Sequence, residues 1–186
     1  MTDRDTKAPH DLEVVRRFIN TLDVEDGVDL LEGIEESARW LREQGLLDNE
    51  DTFTANDAQK MTTFREALRG LLGARHSGSQ LSPETVDRLD EVARAAGLTA
   101  QIHDQRWVLK SCSPGVDGAL GKLVVIMLNA ISDGTWDRLQ VCENDRCQWA
   151  FYDHSRSHTG RWCSMSVCGN RAKQRAWRAR QTNPST

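Results

Sequence analysis

The chain has 186 residues and a formal net charge of −4; 38% of its residues are hydrophobic and 28% are charged. This composition predicts a globular protein with one domain, or one domain and a small appendage. Its longest strictly apolar run, residues 123–128, is far shorter than the roughly 20 residues that span a membrane. Residues 1–13 also lack the apolar segment of a secretion signal, so we expect a cytoplasmic protein with no membrane partner.

Apolar residues recur at helical spacing in three segments of the first half of the chain. The spacing predicts helices over residues 11–19, 29–44 and 57–74. Asp29 and Asn56 stand where the N-caps of the second and third helices are expected.

The next segments change from helix to strand and back to helix. Ser82, followed by proline and glutamate, marks the start of a fourth helix that is expected to end at Gly97. Apolar and polar residues then alternate over 98–102, and less cleanly over 106–111, which predicts a β-hairpin. Residues 117–132 form the most apolar helix, which we expect at the centre of the core.

The charge changes sign near residue 134, where we place a domain boundary between residues 1–133 and 134–186. Residues 1–137 carry 15 basic and 25 acidic residues, whereas residues 138–186 carry 9 and 3. These balances, −10 and +6, suggest that only the C-terminal part binds a polyanion. An uneven solvated surface is the alternative, but four of the five cysteines also lie in the basic part.

Those four cysteines form two Cys-x4-Cys pairs, 15 residues apart: Cys142 with Cys147, and Cys163 with Cys168. The spacing is typical of a four-thiolate zinc site, and such a closed site is structural rather than catalytic. We therefore expect one structural Zn²⁺ per chain. Two disulfides are disfavoured because no export signal is expected. Spacing alone leaves an iron site of the rubredoxin kind open.

A helix predicted over residues 168–181 contains five basic residues and no acid. The basic residues form two stripes: Arg171, Arg175 and Arg178 in one, and Lys173 and Arg180 in the other. A solvated helix normally alternates acids with bases, so this pattern favours a polyanion, most simply a nucleic acid. Zinc with four thiolates adds −2, which leaves the C-terminal part at about +4.

Three short motifs surround the cysteines. Residues 151–156 read Phe-Tyr-Asp-His-Ser-Arg, residues 161–163 read Arg-Trp-Cys, and residues 168–171 read Cys-Gly-Asn-Arg. In this order they resemble the CGNR zinc finger, except that Gly160 replaces the first of two expected arginines. The candidate DNA contacts are Arg156, Arg161, Arg171, Lys173, Arg175, Arg178 and Arg180.

The N-terminal part is similar to the ABATE domain, which precedes this finger. The similarity lies in residues 18–23, in Trp40 with Leu41, and in the central helix that leads towards the first cysteine. It implies a bacterial transcription regulator connected with stress. The expected architecture is mainly α with a small β-hairpin: a helical N-terminal domain and a C-terminal zinc finger that ends in a basic helix.

The leading hypothesis is a DNA-binding regulator whose acidic domain senses a ligand or forms dimers. A single finger buries only about 600–1,000 Å² of surface on DNA, so we expect a homodimer on double-stranded DNA. A zinc-ribbon module that binds protein or RNA is the alternative. No enzyme is expected, since the sequence has no nucleophile–base pair, glycine-rich phosphate loop or HExxH motif.

A pocket for a small-molecule effector is the weakest part of this interpretation. Polar residues interrupt a helical segment near residues of the predicted core. The candidate pocket residues are Asn20, Thr21, Trp40, Phe64, Arg65 and Trp107. Ordinary packing, in which the polar groups satisfy nearby backbone atoms, is the alternative.

Overall fold

The computed structural model describes residues 7–182, which form a mainly helical protein with three two-stranded antiparallel sheets. The helices and strands are α1 (Leu12–Ile19), β1 (Leu22–Asp23), β2 (Val28–Asp29), α2 (Ile34–Glu43), α3 (Ala55–Ser77), α4 (Pro83–Ala95), β3 (Leu98–His103), β4 (Arg106–Ser111), α5 (Gly115–Asp133), a 3₁₀ turn (Trp136–Arg138), β5 (Leu139–Val141), β6 (Ala150–Tyr152), a π-helical turn (Met165–Gly169) and α6 (Asn170–Thr182).

The core lies between α1, α2, α3 and α5. Phe18 of α1 is fully buried at its centre, with its ring centroid 5.4 Å from that of Trp40 and 5.9 Å from that of Phe64. By length and composition alone α5 could cross a membrane. Here it has the expected place as the central helix, since nine of its residues are buried against the other helices.

The starts of two helices differ from the prediction. Asp29 is not an N-cap: it belongs to β2, and α2 begins only at Ile34. The Asp29 carboxylate accepts hydrogen bonds from Leu31 N–H at 2.8 Å and from Arg65 of α3 at 2.6 and 2.9 Å. Burial alone would raise the pKa of Asp29, but these bonds lower it below its ordinary value.

The third helix starts earlier than predicted, with Thr54 as its N-cap in place of Asn56. Thr54 and Asp57 form a capping box in which each side chain accepts a hydrogen bond from the backbone N–H of the other. The fourth helix begins as predicted, because the Ser82 hydroxyl accepts from the Thr85 N–H at 3.2 Å. It ends at Ala95, two residues before Gly97.

The predicted hairpin is confirmed as β3 and β4. Ile102 lies opposite Trp107, and the turn consists of Asp104 and Gln105, whose φ angles are 47° and 63°. Because side chains alternate along a strand, Ile102, Trp107 and Leu109 lie on one face of this hairpin. That face is exposed to solvent.

The strands β5 and β6 are part of the same core as the helices. Leu139, Val141, Ala150 and Tyr152 are buried in one cluster with residues of α1, α3 and α5. Asn20, directly after α1, extends this packing: its amide donates to Ala150 C=O at 2.8 Å and accepts from Ala150 N–H at 2.7 Å. Residues on both sides of the boundary expected at 133/134 therefore share one core.

Replacing Asn20 by Ala should destabilise the whole protein, because it leaves the buried N–H and C=O of Ala150 without their amide partner. We expect a loss of about 2–4 kcal/mol in the free energy of unfolding, measured by urea titration with circular dichroism. Asn129→Ala, at an exposed position of α5, is the control and should change it by less than about 0.5 kcal/mol. Equal midpoints for the two variants would contradict this role of Asn20.

Candidate metal centre and nucleic-acid interface

The four predicted cysteine ligands meet at one point. Their Sγ atoms all lie within 4.8 Å of one another, and all four residues are buried. The Sγ of Cys163 lies 3.6 Å from that of Cys147 and 3.8 Å from that of Cys168. A tetrahedron of thiolates around Zn²⁺, with bonds of about 2.3 Å, has edges of about 3.8 Å. These two separations match that edge length, so the cluster suits a zinc ion.

The first pair of cysteines is held by the loop that joins β5 to β6. The N–H of Cys142 donates to Trp149 C=O at 3.0 Å, which closes the loop. The N–H groups of Cys147 and Gln148 both donate to Asn144 C=O, at 2.7 and 3.1 Å. Gln148 has a φ of 49°, so the chain turns sharply back into β6 and both sulfurs face the same side.

The second pair is held by the π-helical turn. Cys163 precedes this turn, Cys168 lies within it, and the Ser164 hydroxyl accepts a hydrogen bond from the N–H of Val167 at 3.3 Å. A Cβ at Gly169 would lie 2.8 Å from the Sδ of Met165, so glycine lets the Met165 side chain lie against this turn. The basic helix predicted from residue 168 accordingly starts as an α-helix at Asn170.

The electrostatics of the four sulfurs favour a bound cation. Hydrogen bonds from Cys147 and Cys163 lower the pKa of Cys142 to about 2, which favours one thiolate. The same close contact raises the pKa of Cys147 to about 12 and raises that of Cys163 further, because each additional negative charge is repelled. A bound divalent cation removes this repulsion and allows all four sulfurs to ionise.

Asn144 connects the metal centre to the basic helix. Its side chain is buried, and its Nδ2 lies 3.6 Å from the Sγ of Cys168. Its Oδ1 accepts a hydrogen bond from Nη1 of Arg175 at 3.2 Å. Sequence analysis did not single out Asn144, although its place inside the first cysteine pair is the position of a residue that orients a ligand.

The two basic stripes of α6 have different surroundings. Arg171, Arg175 and Arg178 line a cleft between α6, the first cysteine loop and the turn between β1 and β2. Arg146, which the sequence analysis also missed, lines the same cleft from the cysteine loop. Arg146 could have been identified from the sequence because it lies between the zinc ligands Cys142 and Cys147.

The other stripe lies on the opposite face of α6. Lys173 and Arg180 are exposed there, and Trp177 between them is 57% exposed. Ala176 and Ala179 are exposed as well. Among the helices and strands, α6 contacts chiefly the π-helical turn that precedes it, and its residues 173–181 are all exposed.

Arg161 already has strong partners within the chain. Its guanidinium binds the Glu143 carboxylate, with Nε 2.7 Å from both oxygens, and stacks on the Trp162 ring at 5.2 Å from the centroid. The Arg161 hydrogen bonds are the largest cause of the lowered pKa of Glu143. Glu143 also binds His76 of α3, so this group fastens the finger to the helices.

Arg156 lies in an exposed loop that is closed by Asp153. The carboxylate of Asp153 accepts from the N–H of Ser155 at 2.8 Å and from the N–H of Gly160 at 2.7 Å. A Cβ at Gly160 would lie 2.8 Å from this carboxylate. The glycine that replaces the expected arginine thus permits a tight loop.

The six residues of the candidate effector pocket are dispersed. Trp40 and Phe64 pack around Phe18, and Asn20 binds the backbone of β6. The Thr21 hydroxyl accepts from Arg65 at 3.1 Å. Trp107 is 73% exposed on the β3–β4 hairpin, so within residues 7–182 the six side chains do not surround one cavity.

Removing one zinc ligand should release the metal and destabilise the finger. Cys163→Ser should reduce the zinc content from one per chain to near zero and lower the melting temperature by about 10 °C or more. Cys112→Ser, at the exposed fifth cysteine, is the control and should retain one zinc. Elemental analysis and thermal unfolding measure both effects, and a C163S chain that keeps its zinc would contradict the assignment.

Comparison with protein families gives two matches, which meet at the start of β5. Residues 138–181 match the CGNR zinc finger, and residues 12–139 match ABATE, described as "Putative stress-induced transcription regulator". A search of curated proteins found no match. The four buried cysteines are thus the structural zinc site of a CGNR finger. Since the ABATE match covers more than half of the chain, this protein belongs to the ABATE family and carries a CGNR zinc finger.

Proposed function

We propose that this protein is a DNA-binding transcription regulator whose zinc finger presents α6 to duplex DNA. One observation carries the proposal: α6 is exposed along most of its length and bears five positive charges and no acid over residues 170–182. Membership of a family of transcription regulators supports it. Nucleic acid is the ligand that such an uninterrupted basic helix fits best.

The outer face of α6 has the chemistry of a helix that enters the major groove. Lys173 and Arg180 can bind phosphates or the acceptor atoms of guanine, and the small Ala176 and Ala179 allow close approach. Trp177 adds an exposed flat ring whose indole N–H can donate a hydrogen bond. Arg161 has its Glu143 partner, so we assign it to the structure of the finger rather than to DNA.

The acidic body should face away from the duplex. Residues 1–137 have a balance of −10 and would repel phosphates if they lay along DNA. Because β5 and β6 are part of the helical core, the body and the finger have a fixed relation near the hairpin. A small-molecule effector of the body stays a prediction from sequence.

A second copy of the chain is the partner that we propose for the exposed face of the β3–β4 hairpin. Ile102 and Trp107 are 60% and 73% exposed there, although both are large and apolar. Isolated exposed apolar residues are ordinary. Neighbouring ones on one face of a hairpin are typical of an interaction site. A dimer would supply the two DNA-reading helices that one small finger lacks.

The role of the outer face of α6 in DNA binding can be tested by replacing Lys173 and Arg180 together by alanine. If wild type neutralises about five phosphates, log K for duplex DNA against log[salt] should have a slope near −4.5. K173A/R180A should reduce the slope to about −2.7 and weaken binding at least about tenfold at low salt. Fluorescence anisotropy at several salt concentrations measures both.

Arg94→Ala with Arg106→Ala is the matched control, since it removes two exposed charges from the acidic body. This double variant should bind DNA like wild type. Equal binding by the two double variants would refute the role of α6. Tighter binding of single-stranded RNA than of duplex DNA would instead favour the alternative of an RNA-binding module.

The dimer can be tested by sedimentation of the full chain at micromolar concentration. Wild type should sediment as a dimer, and Trp107→Ser should shift it to the monomer because the largest apolar side chain of the hairpin face is lost. Trp177→Ser, which removes the exposed tryptophan of α6, is the control and should leave the dimer intact. A monomeric wild type would contradict the proposed interface.

A further inference from the structure

An acidic side chain of the N-terminal part projects into the arginine cleft beside α6. The cleft has a volume of about 830 Å³ and lies between the β1–β2 turn, the first cysteine loop and α6. Its four arginines are Arg146, Arg171, Arg175 and Arg178. Glu25 and Asp145 are the only acids among its lining residues, so the cleft keeps an excess of positive charge.

Glu25 forms an ion pair with Arg171, the arginine of the Cys-Gly-Asn-Arg motif. The Glu25 side chain is only 19% exposed, so it lies within the cleft rather than in solvent. The turn is built to hold it there: the Asp23 carboxylate accepts from the N–H of Glu25 at 2.9 Å and from the N–H of Asp26 at 3.1 Å. Gly27 closes the turn with a φ of 68°.

A carboxylate in an arginine cluster occupies the position that suits a phosphate. Both groups present oxygen atoms to the planar guanidinium and bind it through charge-assisted hydrogen bonds. Arg175 is held at the cleft by Asn144, so the positive site is preorganised around the position of Glu25. Arg146 and Arg178 line the same cleft.

We propose that this cleft binds one backbone phosphate of duplex DNA, and that Glu25 competes with the phosphate for Arg171. The inference rests on the proposed DNA-binding function and adds to it a site and a competitor. Binding at the cleft then requires Glu25 to leave Arg171. The β1–β2 turn of the ABATE part therefore sets how much of the basic surface is available to DNA.

The position of the β1–β2 turn depends on the helical core. Strand β2 ends at Asp29, whose carboxylate is bound by both terminal nitrogens of Arg65 on α3. Arg65 also donates to the Thr21 hydroxyl, directly before β1. Both strands that carry the turn are thus fixed to α3, and a displacement of α3 would move Glu25 relative to Arg171.

The test compares two neighbouring acids of the same turn. Glu25→Gln removes the competing charge and should tighten duplex binding about five- to tenfold at low salt. The slope of log K against log[salt] should become more negative by about 0.9, because one more phosphate is neutralised. Asp26→Asn removes the same charge from an exposed position one residue away and should change the affinity less than about twofold.

A double-mutant cycle locates the effect at Arg171. In an Arg171→Ala background, Glu25→Gln should no longer tighten binding, because the arginine for which Glu25 and the phosphate compete is absent. Arg146→Ala, at an exposed residue of the same cleft, should weaken binding by about tenfold in the otherwise wild-type chain. Zinc content and unfolding temperature of every variant show whether it is folded.

The outcomes separate this inference from the DNA-binding function. If K173A/R180A loses affinity but E25Q binds like D26N, α6 binds DNA and the competition by Glu25 is refuted. If E25Q binds more weakly than wild type, the ion pair docks the finger and the inference is also refuted. If neither wild type nor E25Q binds duplex DNA, both proposals fail.

Discussion

The structure depends on the insertion of β5 and β6 into the helical core. The side chain of Asn20 forms hydrogen bonds with both backbone groups of Ala150 and so connects β6 to the end of α1. The first cysteine pair lies in the loop of this same hairpin, which connects the zinc site directly to the core. Zinc then fixes the second cysteine pair, and with it the start of α6. The core thus determines where the basic helix begins.

Charged residues of the finger divide into those that hold it and those that face outward. Arg161 is bound to Glu143, and Arg175 to Asn144, so both have partners that fix their position. Lys173 and Arg180 lie exposed on the far side of α6. An arginine held by a neutral amide keeps its full charge for an anion, whereas one held by a carboxylate does not. This difference separates Arg175 from Arg161 as a ligand for phosphate.

Sequence patterns within short segments predicted the features that depend on neighbouring residues. The cysteine spacing predicted the zinc site, and the cap at Ser82 and the alternation in β3 and β4 predicted their elements. Partners distant in sequence were not predictable in this way. Asp29 resembles an N-cap, but Arg65, 36 residues away, binds it in a strand. Likewise, the polar character of Asn20 suggested a ligand pocket, whereas its partner is a backbone 130 residues away.

The helix α3 contacts both the turn that carries Glu25 and the loop that carries the first two zinc ligands. Near its middle, Arg65 holds the strands of the turn that carries Glu25. At its C-terminal end, Arg75 donates to Trp136 C=O at 3.0 Å, and His76 binds Glu143. One rigid helix thus positions both the competitor at the arginine cleft and the loop that holds the first two zinc ligands. A displacement of α3 would therefore move both the β1–β2 turn and the first cysteine loop, which are two walls of the arginine cleft.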